Sequence, residues 1–121
     1  MGTVFIAECE CGFKSEDLYL GEGMNSRHDC RVPAICLNCS SLMVINYYDK
    51  NFRCPECMDK GRVVLYNDLQ VQAQDELKIK RPTVFSWNTD DDKGFRLYDI
   101  HYQCPRCGKM KMKFINAGFW D

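Results

Sequence analysis

Nine cysteines, at positions 9, 11, 30, 36, 39, 54, 57, 104 and 107, carry most of the chemistry available to this 121-residue chain. Eight of them fall into close pairs: Cys9 and Cys11 are separated by one residue, while Cys36/Cys39, Cys54/Cys57 and Cys104/Cys107 have Cys-x2-Cys spacing. Cysteines so close in sequence are poorly placed to bridge each other as disulfides. Two thiolates on one tight turn instead take adjacent corners of a tetrahedron, the arrangement that Zn²⁺ prefers. Met1 to Ile6 is too short for a leader ahead of the first strand, so a reducing, cytoplasmic setting is expected, in which paired thiols serve as metal ligands. Zinc, two ions per chain, is the expected cofactor.

Cys36, Cys39, Cys54 and Cys57 form a self-contained four-thiolate set with 14 residues between its halves. The remaining pairs, Cys9/Cys11 and Cys104/Cys107, lie near opposite ends of the chain, and closing them on a second ion would bring the two ends together. That grouping uses eight cysteines for two tetrahedral sites and leaves Cys30 as a spare thiol. The alternative completes Cys9 and Cys11 with His28 and Cys30. It strands Cys104 and Cys107 with only His101 nearby, and strand alternation sets His101 with Leu97, Asp99 and Gln103, away from Tyr98, Ile100, Tyr102 and Cys104.

Each pair sits between runs that read as strands. Thr3 to Ala7 leads into Cys9, and Leu18-Tyr19-Leu20 leads out beyond Cys11. Val32 to Ile35 precedes Cys36, and Leu42 to Ile45 follows Cys39. Phe52-Arg53 precedes Cys54, and Val63 to Tyr66 follows Cys57. Phe95 to Tyr102 enters the last turn, and residues 109–114 leave it with strict two-residue alternation. Four hairpins thus carry four metal-type turns.

Cys104-Pro105-Arg106-Cys107-Gly108-Lys109 resembles the zinc knuckle of the zinc-ribbon and rubredoxin families, Cys-Pro-x-Cys-Gly followed by a basic or small residue. Glycine suits the positive backbone angle of such a turn, whose amides can donate to the thiolates. The other turns depart from the pattern. Cys54-Pro55-Glu56-Cys57 has Met58 in place of glycine, Cys36-Leu37-Asn38-Cys39 lacks both proline and glycine, and the first turn is one residue short although Gly12 follows it. The resemblance implies a small, β-rich, metal-stabilised fold made of two zinc-ribbon units of antiparallel knuckle hairpins, with at most one short helix. On that reading residues 1–121 form a single domain, with a central ribbon over 32–66 inside an outer discontinuous ribbon made of 1–31 and 83–121. It also implies a macromolecular binding module, since ribbons present strands and knuckle loops to protein or nucleic acid, as in a transcription- or translation-associated adaptor.

The composition supports a cross-linked fold. Leu, Ile, Val and Phe together make up only about 23% of the chain, close to the lower bound for folding on a hydrophobic core alone. No stretch reaches the roughly 20 apolar residues of a membrane helix, so no membrane partner is expected. The formal charge is −1. Eight thiolates and two Zn²⁺ would add a further four negative charges and bring it to about −5, which weakens any broad attraction to phosphate. A local exception is Lys109, Lys111 and Lys113 on one face of the last strand, joined by Arg106, a stripe that fits either a nucleic-acid backbone or the protection of an exposed strand edge.

No catalytic constellation emerges and no small-molecule substrate is expected, so the chain is read as a non-enzyme. All-cysteine sites are usually closed, whereas catalytic zinc keeps a position for water. Thioredoxin-type CxxC chemistry needs a helix N-terminus, whereas Cys104 ends a strand. A rubredoxin-like iron carrier or a CxxC redox protein is the alternative function, since four thiolates also suit iron. Elsewhere, Asn67-Asp68 can cap a short helix over 69–79 that Pro82 would end. Residues 88–94, with Asp90-Asp91-Asp92, read as a solvated hairpin loop lacking the spaced oxygens of a calcium loop.

Overall fold

The computed structural model describes residues 2–22, 30–47, 53–54, 56, 58, 62–87 and 95–120. Among these residues nine antiparallel strands dominate: β1 (Gly2–Cys9), β2 (Leu18–Glu22), β3 (Cys30–Cys36), β4 (Ser41–Asn46), β5 (Val63–Leu65), β6 (Thr83–Trp87), β7 (Phe95–Tyr98), β8 (Tyr102–Gln103) and β9 (Met110–Trp120). Seven of them form one sheet in the order β4-β3-β2-β1-β9-β8, with β5 also paired to β3, while β6 and β7 form a separate hairpin. The fold is small and β-rich, and among the described residues its only helical pieces are two 3-10 turns. Among the described residues no helix is long and apolar enough to cross a membrane.

Alternation decides which faces are buried. Along β1 the side chains of Phe5, Ala7 and Cys9 point inward, and on β9 Met112 and Phe114 join them. β1 pairs with β9 over its whole length, from Gly2 opposite Trp120 to Cys9 opposite Met112, so the two ends of the chain share one ladder. A bulge between Val4 and Phe5 shifts the register.

β3 is the second organiser. From Arg31 to Cys36 it pairs with β4, while its other edge is shared, with β2 against Cys30 and Arg31 and β5 against Ala34 to Cys36. Pro33 is tolerated in this paired strand for a geometric reason. Its carbonyl accepts from the Tyr66 amide at 3.3 Å, so its ring nitrogen faces that same side, between the residues paired with β2 and those paired with β5, and no bond to β4 is lost.

The chain after β5 folds back to meet β8. Gln72 bridges Tyr102, the Ala73 amide donates to the His101 carbonyl at 2.9 Å, and the Tyr66 hydroxyl donates to the Gln103 carbonyl at 2.9 Å. Three rings fill the junction edge to face: Tyr66, Tyr102 and Phe114, with centroids 5.1 to 5.8 Å apart. The β6–β7 hairpin packs through Phe85 and Phe95 onto Phe5 and Tyr47. One buried cluster therefore contains residues from both cysteine-bearing regions.

Two local expectations fail. The helix over 69–79 is replaced by 3-10 turns at Leu69–Val71 and Glu76–Lys78. Asp68 does cap the first, accepting from the Gln70 amide, but the backbone at Gln72 and Ala73 is drawn into the contact with β8, which breaks the helical ladder. Leu69, at the start of that segment, is exposed. The strand expected over 95–102 also breaks, because the Ile100 amide turns back to the Tyr98 carbonyl (2.8 Å) and the Asp99 amide donates to Pro82. Alternation changes phase at this bend. Leu97 is buried like Ile100, Tyr102 and Cys104, rather than sharing an outward face with His101.

Candidate metal centres

The first centre joins the two chain ends. The turn after β1 is a tight continuation of its hairpin: Cys9 donates to the Phe13 carbonyl (2.9 Å), Gly12 to the Cys9 carbonyl (3.0 Å) and Ser15 to the Ala7 carbonyl (2.8 Å). The Glu10 amide reaches the Lys111 carbonyl and so ties this turn to β9. Opposite, the turn between β8 and β9 is closed by Cys104 to Lys109 and Gly108 to Cys104 backbone bonds. Cys9 Sγ lies 3.7 Å from Cys107 Sγ and Cys11 Sγ 3.7 Å from Cys104 Sγ, and all four sulfurs lie within 4.8 Å of one another.

That spacing fits a tetrahedral ion. Metal–sulfur bonds of about 2.3 Å place tetrahedral sulfurs about 3.8 Å apart. The supporting amides are also present, with Arg106 N–H directed at Cys104 Sγ (3.3 Å) and Cys11 N–H at Cys9 Sγ (3.5 Å). The Arg106 guanidinium lies over the Phe13 ring, 5.7 Å from its centroid, and links the two turns from outside.

The second centre gathers Cys36, Cys39 and Cys54 within the same 4.8 Å limit, with Cys39 and Cys54 sulfurs 3.3 Å apart. Cys57 lies outside the described residues. Cys39 donates to the Ser41 hydroxyl (3.3 Å), which in turn donates to a Glu56 carboxylate oxygen (2.9 Å), a chain that sequence reading missed. Two groups of cysteines can thus hold metal ions. Cys30 belongs to neither; it is buried in β3. His28 lies outside the described residues.

The thiols differ in acidity without metal. Burial pushes Cys9 up to about 12 and raises Cys104 as well. Cys11 is lowered to about 7, chiefly by the Phe13 backbone amide. The Ser41 hydroxyl pulls Cys39 down, but its contact with Cys54, burial and the neighbouring Cys36 raise it to about 12. Metal must expel the protons of the raised thiols, so its apparent affinity falls as pH falls.

The residue just after the second cysteine position has a positive φ in all four turns: Gly12 (101°), Ser40 (56°), Met58 (61°) and Gly108 (72°). The Met58 amide donates to the Cys54 carbonyl (2.8 Å), as Gly108 does to Cys104 (2.9 Å). The knuckle backbone is therefore common to turns with and without glycine, although the sequence carries no signal for it at Ser40 or Met58.

The basic stripe is partly engaged. Lys113 sits 3.2 Å from Asp99, Arg106 is stacked on Phe13, and Lys109 and Lys111 are exposed. β8 covers β9 only at Met110 and Met112, so from Lys113 onward that edge of β9 has no strand partner among the described residues. A second basic group, from Lys80, Arg81 and Arg96, lines a cavity of about 720 Å³ beside the β6–β7 hairpin. The run Lys78-Ile79-Lys80-Arg81 was visible in the sequence, but nothing there signalled that Arg96 joins it.

Comparison with protein-family models, with curated proteins and with solved structures finds no match.

Proposed function

We propose that this protein is a non-catalytic, zinc-stabilised binding module of zinc-ribbon type, an adaptor within a transcription or translation assembly, and that its partner is a protein. The observation that carries the reading is the outer cluster, four thiolate ligands close enough to surround one ion. Such a set leaves no position for a substrate or a catalytic water, so the ion's role is to hold the fold. With Leu, Ile, Val and Phe at about 23% of the chain, a metal cross-link supplies stability that the core does not.

The partner follows from charge. Of the four residues in the basic stripe, Lys113 is paired with Asp99 and Arg106 lies on Phe13. That leaves Lys109 and Lys111 on the stripe, a thin footprint for phosphate on a chain of net charge −1, and the other basic group, Lys80, Arg81 and Arg96, stands beside exposed Leu69 and Ile79 rather than on a continuous basic track. The reading is tested by passing metal-loaded protein over immobilised single- and double-stranded nucleic acid at rising salt, alongside Lys109→Glu/Lys111→Glu. Passage without retention at 50 mM salt, by a colourless protein that melts when chelated, is the expected result. Retention that the substitutions abolish would move the partner to nucleic acid, and a coloured, iron-bearing protein would move the function to electron transfer.

A further inference from the structure

The cavity beside the β6–β7 hairpin has an unusual charge balance for an acidic protein. Lys80, Arg81 and Arg96 line it, and among the described residues no carboxylate does. None of the three forms an ion pair among the described residues. Of the acids nearest in sequence, Glu76 lies 2.9 Å from His101 and Asp99 3.2 Å from Lys113, and exposed Asp75 does not line the cavity. Arg81 is half-buried, and its Nε is fully covered with no hydrogen-bond acceptor, an arrangement that costs free energy while no counter-charge is present.

Alternation explains how the wall forms. Phe95 and Leu97 of β7 are buried, so Arg96 and Tyr98 point the other way and line the cavity. The opposite wall comes from the segment of the two 3-10 turns, where Leu69 (57% exposed) and Ile79 (65% exposed) stand among the cations. Both belong to a segment whose helical structure is limited to the two 3-10 turns. At about 720 Å³ the cavity is of the size that receives a ligand or a few side chains.

From these features we infer that the cavity is a docking site for an acidic peptide segment of a protein partner, one with carboxylates beside aliphatic side chains. The inference deepens the binding-module reading and rests on it. Carboxylates would meet Lys80, Arg81 and Arg96, bidentately at the arginines, and the aliphatic side chains would cover Leu69 and Ile79. Nucleic acid fits less well. It offers no aliphatic groups to Leu69 and Ile79, and a long polyanion is opposed by the net charge of the chain, whereas a short acidic segment meets only the local field.

The test uses the full-length, metal-loaded protein and a fluorescein-labelled twelve-residue peptide in which each leucine is flanked by glutamates. Controls are the same peptide with glutamine for glutamate, the same with serine for leucine, and a twelve-nucleotide oligothymidylate, read by anisotropy and by amide chemical shifts. Binding is expected to shift amides of residues 67–83 and 96–98, to weaken at least tenfold with either control peptide, and to weaken at least tenfold in Lys80→Glu/Arg96→Glu. Both positions are exposed, unlike half-buried Arg81, so this variant keeps the fold, and metal content with the melting curve verifies it. Lys109→Glu/Lys111→Glu should bind as the wild type does.

A folded, metal-loaded wild type that ignores the peptide at millimolar concentration overturns the inference and leaves the binding-module reading standing. Peptide binding that is indifferent to Lys80→Glu/Arg96→Glu also overturns it, as does preference of the cavity for the oligonucleotide. Bound iron that cycles between redox states would instead remove the binding-module reading, whatever the peptide does.

Discussion

The two cysteine clusters hold similar sulfur sets by opposite means. In the outer cluster the contacting sulfurs are 98 and 93 residues apart in sequence, and the turns that present them carry glycine, Gly12 and Gly108, at the positive-φ position. In the central cluster the contacting sulfurs are 15 residues apart, and Ser40 and Met58 occupy that position. The outer site therefore has relaxed turns and costly closure, while the central site has inexpensive closure and strained turns. A knuckle does not require glycine. It requires the backbone angle, which glycine adopts freely and other residues adopt when the surrounding turn compels them.

Removing the metals should break the comparison outright. Structural zinc sites contribute roughly 10–16 kcal/mol in small domains, as much as the whole stability of a typical domain, so a chelator in excess is expected to abolish the cooperative thermal transition followed by circular dichroism. Acid should act in the same direction. Burial holds Cys9 near 12 and raises Cys104, so protons compete with metal for these thiols ever more strongly as pH falls, and unfolding should track metal release.

Order of loading sharpens the contrast. Closing about 95 residues rather than 15 costs about 1.6 kcal/mol more in chain entropy. Zinc added in substoichiometric amounts to the unfolded, reduced chain should thus enter the central cysteines first, with a preference of about 15-fold, measurable by cysteine alkylation and mass spectrometry.

The turns should respond to substitution with opposite signs. Gly108→Ala or Gly12→Ala is expected to cost about 1 kcal/mol by denaturant titration, all of it backbone strain, since an added Cβ at either site meets nothing within 4 Å. Ser40→Gly and Met58→Gly should each gain about 0.5 kcal/mol, relief of strain less the added freedom of the unfolded chain. Smallest of all is Lys113→Ala: its ion pair with Asp99 is exposed on both sides, and its loss should shift stability by less than about 0.5 kcal/mol.

These contrasts were unevenly legible in the sequence. Two-residue alternation in 109–114 and the aliphatic runs beside each cysteine pair marked the strands, because a half-buried sheet writes its period into the chain. Cys9, Cys11, Cys104 and Cys107 could be grouped only by elimination, and no local signal says that β1 and β9 share a ladder. The phase change at Asp99 was hidden because it comes from a hydrogen bond to Pro82, distant in sequence. The helix expected over 69–79 had a real cap in Asp68, but the bridge between Gln72 and Tyr102 overrode it. Ser40 and Met58 carried no mark of their backbone angle, and the meeting of Arg96 with Lys80 and Arg81 depends on hairpin geometry that composition does not encode.

The most direct test is metal content per chain, by elemental analysis of protein purified under reducing conditions, for the wild type and for Cys104→Ser. Two zinc ions in the wild type and one in the variant are expected, because Cys104 serves the outer cluster alone. Iron in place of zinc, or a count that Cys104→Ser leaves unchanged, would contradict the account of two separate structural zinc centres.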